Sequence, residues 1–487
     1  MNSLLKSVDS DVVLTYSDGV SNLITFQVGW KYLFVLWDFI KSVFMKVFKG
    51  YYSILLATTT ASFLTPFTTS SIAVALPVIA GEFNVSLASV NWVVNAFLIA
   101  LASTVLVIGR VSDWLGRGRV FTLGIILFMI TSLLTSLVRS YVDVIICRFF
   151  QGIAAAMISS TAVAVLSEEL PRERRGLGIG INTTAVYLGL SLGPLVGGYL
   201  TNYFGWRSLF TLKTVVSLMS LAIALRTVKL RWGSTSRPNI TASLLITSSI
   251  AMIIYGTSTI GSLYGLITTS FGSVLLVTTL LVERSSPKVL NPSLLKKKLL
   301  AANIAALLNY SATYALTVLL STYLQKLRGL TPSDAGLILT TQPILQVMLS
   351  PIAGLLADRY DPSILATIGM ATITSGVFSL TFINYETPIT YLVYVLAVLG
   401  IGFAFFSSPN TTAIMNMSPR EAYGSATALL ATMRFLGQAL SISVITSVMV
   451  MQEDLMTAIK TSLTIYIFLS ITGTLLSLIP RSKVGNA

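Results

Sequence analysis

Arg148 stands in the middle of an apolar run, with Gln151 and Gly152 three and four residues further on. On a helix these positions share one face. A guanidinium in hydrocarbon costs at least about 2.5–3.5 kcal/mol, so a charge placed there must turn towards protein or a water-filled cavity. It is either a structural arginine bonded to backbone carbonyls or a polar pivot in a path for a solute. Arg434 and Gln438 lie one turn apart in a later apolar run. They are read as a second polar lining of the same path, against a structural role. Lys213 lies several residues into another run. Its stem could carry the ammonium outward, and a structural role is expected. Asn95, Asn182 and Gln342 are further candidate cavity polars.

Other chemistry has little to work with. The chain has no histidine and one cysteine, Cys147. Intrachain disulfides, cysteine- or imidazole-ligated metals and most nucleophile–base pairs cannot be assembled from such a set. No phosphate-binding G-x-x-x-x-G-K-[ST] loop is present, which argues against an ATP-driven pump. An enzyme, a metal and a cofactor are therefore not expected. Asn84-Val-Ser86 is a glycosylation sequon, a tripeptide common by chance.

The elements that position these residues follow from composition. Of 487 residues, 54% are hydrophobic and 10% charged, where a soluble protein carries about a quarter charged. Lipid must cover much of the surface. About fourteen runs reach the ~20 residues needed to cross a bilayer as helices. They lie near Tyr51–Ile79, Ser89–Ile108, Val120–Leu137, Val142–Leu166, Leu177–Leu200, Phe204–Leu225, Ile240–Ser258 and Leu263–Val282. Six more lie near Leu299–Leu324, Ala335–Ala357, Ile364–Ile383, Ile389–Thr411, Ser425–Val450 and Ser462–Ile479.

The net charge of +14 sits in short loops, which argues for membrane orientation and not for a nucleic-acid partner. Arg110, Arg117 and Arg119, then Arg172, Arg174 and Arg175, then Arg226, Lys229, Arg231 and Arg237, fall in alternate loops. Arg284, Lys288, Lys296, Lys297, Lys298, Arg359, Arg420, Arg481 and Lys483 continue the series. The intervening loops hold Arg139, Arg207, Lys326, Arg328 and Lys460. The richer side is expected to be cytoplasmic, with both termini there. From Trp30 to Lys49 the charges gather on one side of a helical period, as in an interfacial helix; a true start at Met45 is the alternative. No cleavable signal is evident.

The chain also repeats. Gly354-Leu-Leu-Ala-Asp358-Arg359 echoes Gly109-Arg-Val-Ser-Asp113-Trp, and Gly424…Thr432…Leu436-Gly437…Leu440 matches Gly176…Thr184…Leu188-Gly189…Leu192. Two six-helix halves are expected, at 50–230 and 299–487. A helix pair at 231–284, a linker at 285–298 and an extension at 1–49 complete the division. A solute site belongs at the interface of such halves. Gly189, Gly193, Gly197 and Gly198 with Pro194 make a smooth stripe, for close packing or for rocking. In the loop Gly109 to Arg119, the glycines permit a tight turn and Asp113 can pair with Arg117 or face a helix N-terminus.

That loop resembles the signature loop of the major facilitator superfamily. Arg148-Phe-Phe-Gln151-Gly152 resembles the family's second motif, and Gly189-Leu-Ser-Leu-Gly193-Pro194-Leu-Val-Gly197-Gly198 its antiporter motif. Ala75-Leu76-Pro77, Asn91-Trp92-Val93-Val94 and Gly205-Trp206-Arg207 agree. Ser407-Ser408-Pro409-Asn410 and Arg434-Phe-Leu-Gly-Gln438 are similar to the fourteen-span drug:proton antiporter branch. The resemblance implies an all-α fold of two pseudo-symmetric six-helix bundles plus the inserted pair. It implies a cytoplasmic latch at Gly109, Asp113, Gly116, Arg117 and Arg119, echoed at Gly354, Asp358 and Arg359. It also implies proton or substrate coupling at Arg148.

One departure matters. Thr68 stands where many drug:proton antiporters carry a span-1 aspartate, and no acid lies mid-span. Protons would need Asp143, Glu82, Asp113 or Asp358. The expected function is secondary export of small hydrophobic or amphipathic compounds, of the multidrug type, by proton antiport at the plasma membrane. The alternative is a facilitator or importer of a neutral or anionic metabolite. A monomer is expected, acting on a small molecule in a lipid bilayer.

Overall fold

The computed structural model describes residues 51–171, 174–233, 239–282, 294, 296–419 and 423–479. The segment from Trp30 to Lys49 lies outside them, as do Arg172, Arg237, Arg284, Lys288, Arg420, Arg481 and Lys483. Among the described residues, fourteen helices are long and apolar enough to cross a membrane. We number them α1 (Tyr51–Glu82), α2 (Leu87–Leu115), α3 (Arg117–Leu137), α4 (Tyr141–Glu169), α5 (Arg175–Phe204), α6 (Arg207–Thr227), α7 (Ile240–Ser258) and α8 (Leu263–Val282). The second set is α9 (Lys297–Leu327), α10 (Pro332–Arg359), α11 (Pro362–Leu380), α12 (Ile389–Met417), α13 (Tyr423–Met451) and α14 (Leu455–Ser477). No strand occurs among the described residues.

Local chemistry sets the ends. Gly116, at φ 101°, turns α2 into α3, and Gly205, at φ 77°, turns α5 into α6; both values suit glycine alone. The last helix starts seven residues before the expected Ser462, because Asp454 caps it by accepting from the Thr457 backbone N–H at 2.7 Å. Two helices are interrupted, which the apolar runs alone did not predict. α9 breaks at Tyr314–Ala315 and ends in a π-helical turn, Tyr323–Leu327, while α10 breaks at Thr340.

Packing repeats between the halves. In the first, α2 and α3 pack on α4, and α3 on α6. In the second, α10 and α11 pack on α12, and α11 on α14. Gly189 of α5 lies against Phe63 and Pro66 of α1, and Gly437 of α13 lies against Leu307 and Tyr310 of α9, the matching position. The fold is thus two pseudo-symmetric six-helix bundles with an inserted pair. α7 and α8 pack on each other, and α7 fills the seam between α2 and α13. There Ser258 and Ser443 share a hydroxyl bond of 2.7 Å, and Ser447 donates to the Thr257 carbonyl at 2.8 Å. The outer face of α8 exposes Leu263, Tyr264, Ile267, Phe271, Val274 and Leu281, a surface suited to lipid tails.

Candidate functional site

The two bundles meet at one end. Gly198 of α5 lies so close to the Pro332 carbonyl and Gly336 of α10 that a side chain at either glycine would overlap backbone. Asn91 donates to Met449, Asn95 to Thr446 at 3.4 Å and Gln325 to the Val74 carbonyl at 2.9 Å. All lie towards the end that carries Glu82, Arg207 and Pro332. At the opposite end the first turns of α5 expose Gly176, Leu177, Thr183 and Thr184. The loops at Asp113 and Arg359 share that second end, since α5 and α10 run antiparallel from the Gly198–Pro332 contact.

Between the bundles, near mid-height, lies a cavity of about 80 Å³. Its walls include Thr69, Ser70 and Pro194 from the first half, and Tyr310, Tyr314, Gln342, Gln346, Arg434 and Gln438 from the second. Arg434 is partly exposed, with its guanidinium 5.1 Å from the Tyr310 ring centroid. The buried Gln438 leaves its Oε1 without a hydrogen-bond donor. Tyr314 donates to the Thr69 carbonyl at 3.2 Å, Ser191 to the Pro343 carbonyl at 3.0 Å, and Tyr187 lies 3.4 Å from the Ser407 hydroxyl. The volume holds two or three waters at about 30 Å³ each, well short of the roughly 300 Å³ that a drug-sized ligand needs. Solute entry therefore requires the bundles to move apart around these same groups.

Arg434, Gln438 and Gln342 are brought together as expected, and Arg148 and Gln151 are not. Arg148 is fully buried inside the first bundle. Its Nε donates to the Val93 carbonyl at 2.9 Å, its Nη1 to Gln151 Oε1 at 2.6 Å, and its guanidinium lies 4.3 Å from the Phe97 centroid. Gln151 passes the chain on to Ser132 at 2.7 Å. Gly152 makes room, since a side chain there would strike the Phe97 carbonyl. The arrangement ties α4 to α2 and α3, which is the structural reading. Arg148 Nη2 nevertheless has no acceptor, and Tyr314 on the cavity wall is within electrostatic reach.

Other expected residues are placed differently. Asp143 is exposed in the first turn of α4, away from the cavity. Glu82 accepts from Arg207 at 2.6 Å and from Trp206 Nε1 at 2.7 Å, so it anchors α6. Asn95 also donates to Ser258 at 3.3 Å, joining α2 to α7 and α13. Asn182 is buried with its Oδ1 unpartnered and does not line the cavity. Lys213 does not snorkel. It is fully buried, with Nζ unpartnered and 4.4 Å from the Phe210 centroid. Position explains this: six residues beyond Arg207 is about 9 Å deeper along the helix, at 1.5 Å per residue.

The glycine stripe divides its work. Gly189, Gly193 and Gly197 face α1, against Phe63, Ser70 and Ser71, while Pro194 and Gly198 face Gly336 of the other half. In the expected latch, Asp113 pairs with Arg117 at 2.9 Å and Arg117 with Glu168 at 2.8 Å. Arg119 donates to the Leu230 carbonyl at 3.1 Å and stacks 3.5 Å from the Trp232 centroid. A side chain at Gly116 would strike the Arg231 carbonyl. The loop thus clasps the segment leaving α6, a contact that sequence did not indicate. Gly109 faces open space, Gly354 lies near Ser408, and Asp358 and Arg359 are exposed. Sequence reading also missed Tyr187, Tyr310 and Tyr314, although the i, i+4 spacing of the last two marks one polar-tipped face.

Comparison with known proteins agrees with this architecture. The riboflavin transporter RibZ of Clostridioides difficile is 28% identical over 371 residues, 75% of this chain and 81% of that one. The multidrug resistance protein Stp of Mycobacterium tuberculosis is 28% identical over 387 residues, 77% and 72% of the two chains. The tetracenomycin C resistance and export protein of Streptomyces glaucescens is 24% identical over 392 residues, 77% and 71%. A crystal structure of the peptide transporter POT with alafosfalin shares the fold at a TM-score of 0.68 and 12% identity, covering 90% of this chain and 96% of that one. The family model of the Major Facilitator Superfamily matches residues 58–284 and 302–486. With that match over two helical bundles around a central polar cavity, the chain belongs to the major facilitator superfamily, whose members are membrane transporters of small molecules.

Proposed function

We propose that this transporter is a secondary active exporter of small hydrophobic or amphipathic compounds, working by alternating access in exchange for protons at the plasma membrane. The observation that carries the reading is the close contact at one end, where the bundles join through Gly198, Pro332 and Gly336. The arginine-rich loops lie at the opposite end, so the positive-inside rule makes it cytoplasmic, with both termini there. Parting of the bundles at that end would admit solute to the cavity from inside, as an exporter requires. The export and resistance names of two relatives support the direction. Cavity walls of tyrosine, glutamine and proline suit amphipathic solutes.

A second reading is favoured by one feature. Arg434 lines the cavity and no carboxylate does, which suits a neutral or anionic metabolite carried without proton coupling. A riboflavin transporter among the relatives points the same way. Purified protein in liposomes with an imposed pH gradient separates the two. Export by antiport predicts that riboflavin or ethidium flux follows the gradient and stops when it collapses; flux indifferent to the gradient supports the facilitator. Arg148→Ala is expected to abolish the flux, and normal transport by that variant contradicts a part for Arg148 in coupling.

A further inference from the structure

Lys213 is the buried ionisable group for which the transport reading has no use so far. Its Nζ has no acceptor, and it lies between the rings of Phe210, 4.4 Å away, and Phe67, 5.9 Å away. The packed elements supply no counter-charge. The acid of α1, Glu82, is held by Arg207 and Trp206. α3 carries ionisable groups only at its far end, Arg117 and Arg119. α5 offers Tyr187, which faces Ser407, with Arg175, Tyr199 and Tyr203 towards its ends. α6 itself adds Arg207 and Arg226 at its termini. Burial strips Lys213 of water first, and the charge within electrostatic reach is a like one, Arg148 of α4.

Two cations cannot both stay charged in a dry bundle without an anion. Arginine keeps its proton in proteins, whereas lysine readily gives one up when buried. A neutral amine in this place is also a base able to take a proton once water arrives. On the passing helix α1, the hydroxyls of Thr68 and Ser71 are buried without partners, and Thr68 stands where the resemblance puts an acid.

We propose that Lys213 binds and releases the transported proton, neutral in the arrangement described here and charged when the bundle opens to water. The inference rests on the antiport reading. A hydronium on one side gives its proton to the Nζ lone pair, its O–H bond breaking as the N–H bond forms; on the other side an N–H bond breaks and the proton returns to water as hydronium. Protonation beside Arg148 favours whichever arrangement wets the pair, which ties the proton to the conformational change.

The test uses full-length protein in liposomes with riboflavin and ethidium as probes. Lys213→Met and Lys213→Arg, fixed as neutral and as charged, are expected to lose gradient-driven flux by about tenfold or more while keeping gradient-free exchange. A wild type indifferent to the gradient overturns the antiport reading. A gradient-driven wild type with unchanged Lys213→Met flux overturns the role of the lysine alone. Should the variants fail to fold, nitrogen-15 spectra of lysine-labelled wild type decide the matter. One neutral amine that becomes ammonium as pH falls supports the proposal, and ammonium signals alone throughout overturn it.

Discussion

Gly197 and Gly198 are neighbours in sequence but face different partners, and replacing each by alanine separates packing from gating. A Cβ at Gly198 would overlap the Pro332 carbonyl and press on Gly336 Cα at 3.2 Å, both across the bundle interface. A Cβ at Gly197 would meet the Ser71 carbonyl at 2.7 Å, inside one bundle. Overpacking of this kind costs about 1–3 kcal/mol. For Gly198→Ala the cost falls only on the arrangement closed at this end, so the ratio of the two arrangements shifts by about 5–150-fold. For Gly197→Ala it falls on the folded bundle in every arrangement, so thermal stability drops and the ratio holds. Spin labels at Tyr199 and Leu337, both exposed near the closed end, read the ratio by pulsed distance measurement with Cys147 replaced. Gly198→Ala is expected to lengthen the distance, and Gly197→Ala to leave it. Gly81→Ala, which meets nothing within 4 Å, is the control. A Gly198→Ala distribution equal to wild type refutes the assignment of this contact as the gate.

Arg148→Met leaves the Val93 carbonyl and Gln151 Oε1 without donors; each buried acceptor left unpaired costs about 1–3 kcal/mol, visible as a lower melting temperature in detergent. Arg434→Gln, at a partly exposed cavity wall, is expected to change which probes are carried while leaving the melting temperature within a few degrees, measured by competition between ethidium and riboflavin. Trp232→Ala removes the stacking partner of Arg119, an exposed cation–π contact of about 0.5–1 kcal/mol. Faster proteolytic cleavage in the segment after α6 is the expected outcome, and an unchanged rate contradicts the clasp.

Much of this architecture was legible in the sequence because lipid imposes a blunt rule: long apolar runs become helices. The bounds of α7 and α8 coincide with the expected ones, and the repeat around Gly189 and Gly437 reappears as matching contacts on α1 and α9. The break at Tyr314 was not legible, and that at Thr340 was overlooked although Pro343 has no N–H to give the Leu339 carbonyl. The early start of α14 was not legible either, since it depends on one side-chain cap at Asp454. The site was half legible. A charge in an apolar run says only that it turns inward, and inward meant the cavity for Arg434 but the bundle interior for Arg148. The snorkelling considered for Lys213 does not occur, because snorkelling depends on depth. That depth is set by the Glu82–Arg207 anchor, 125 residues apart in sequence.

The central claim is that the two ends of the interface open in turn. Labels at Tyr199 and Leu337 report one end, and labels at Leu177 and Leu355, exposed on the same two helices near the other, report the opposite one. Recorded in the same lipid across a pH series and with Gly198→Ala, the two distances are expected to change in opposite directions. Distances that lengthen together, or a far end that stays fixed while the near end opens, contradict the account.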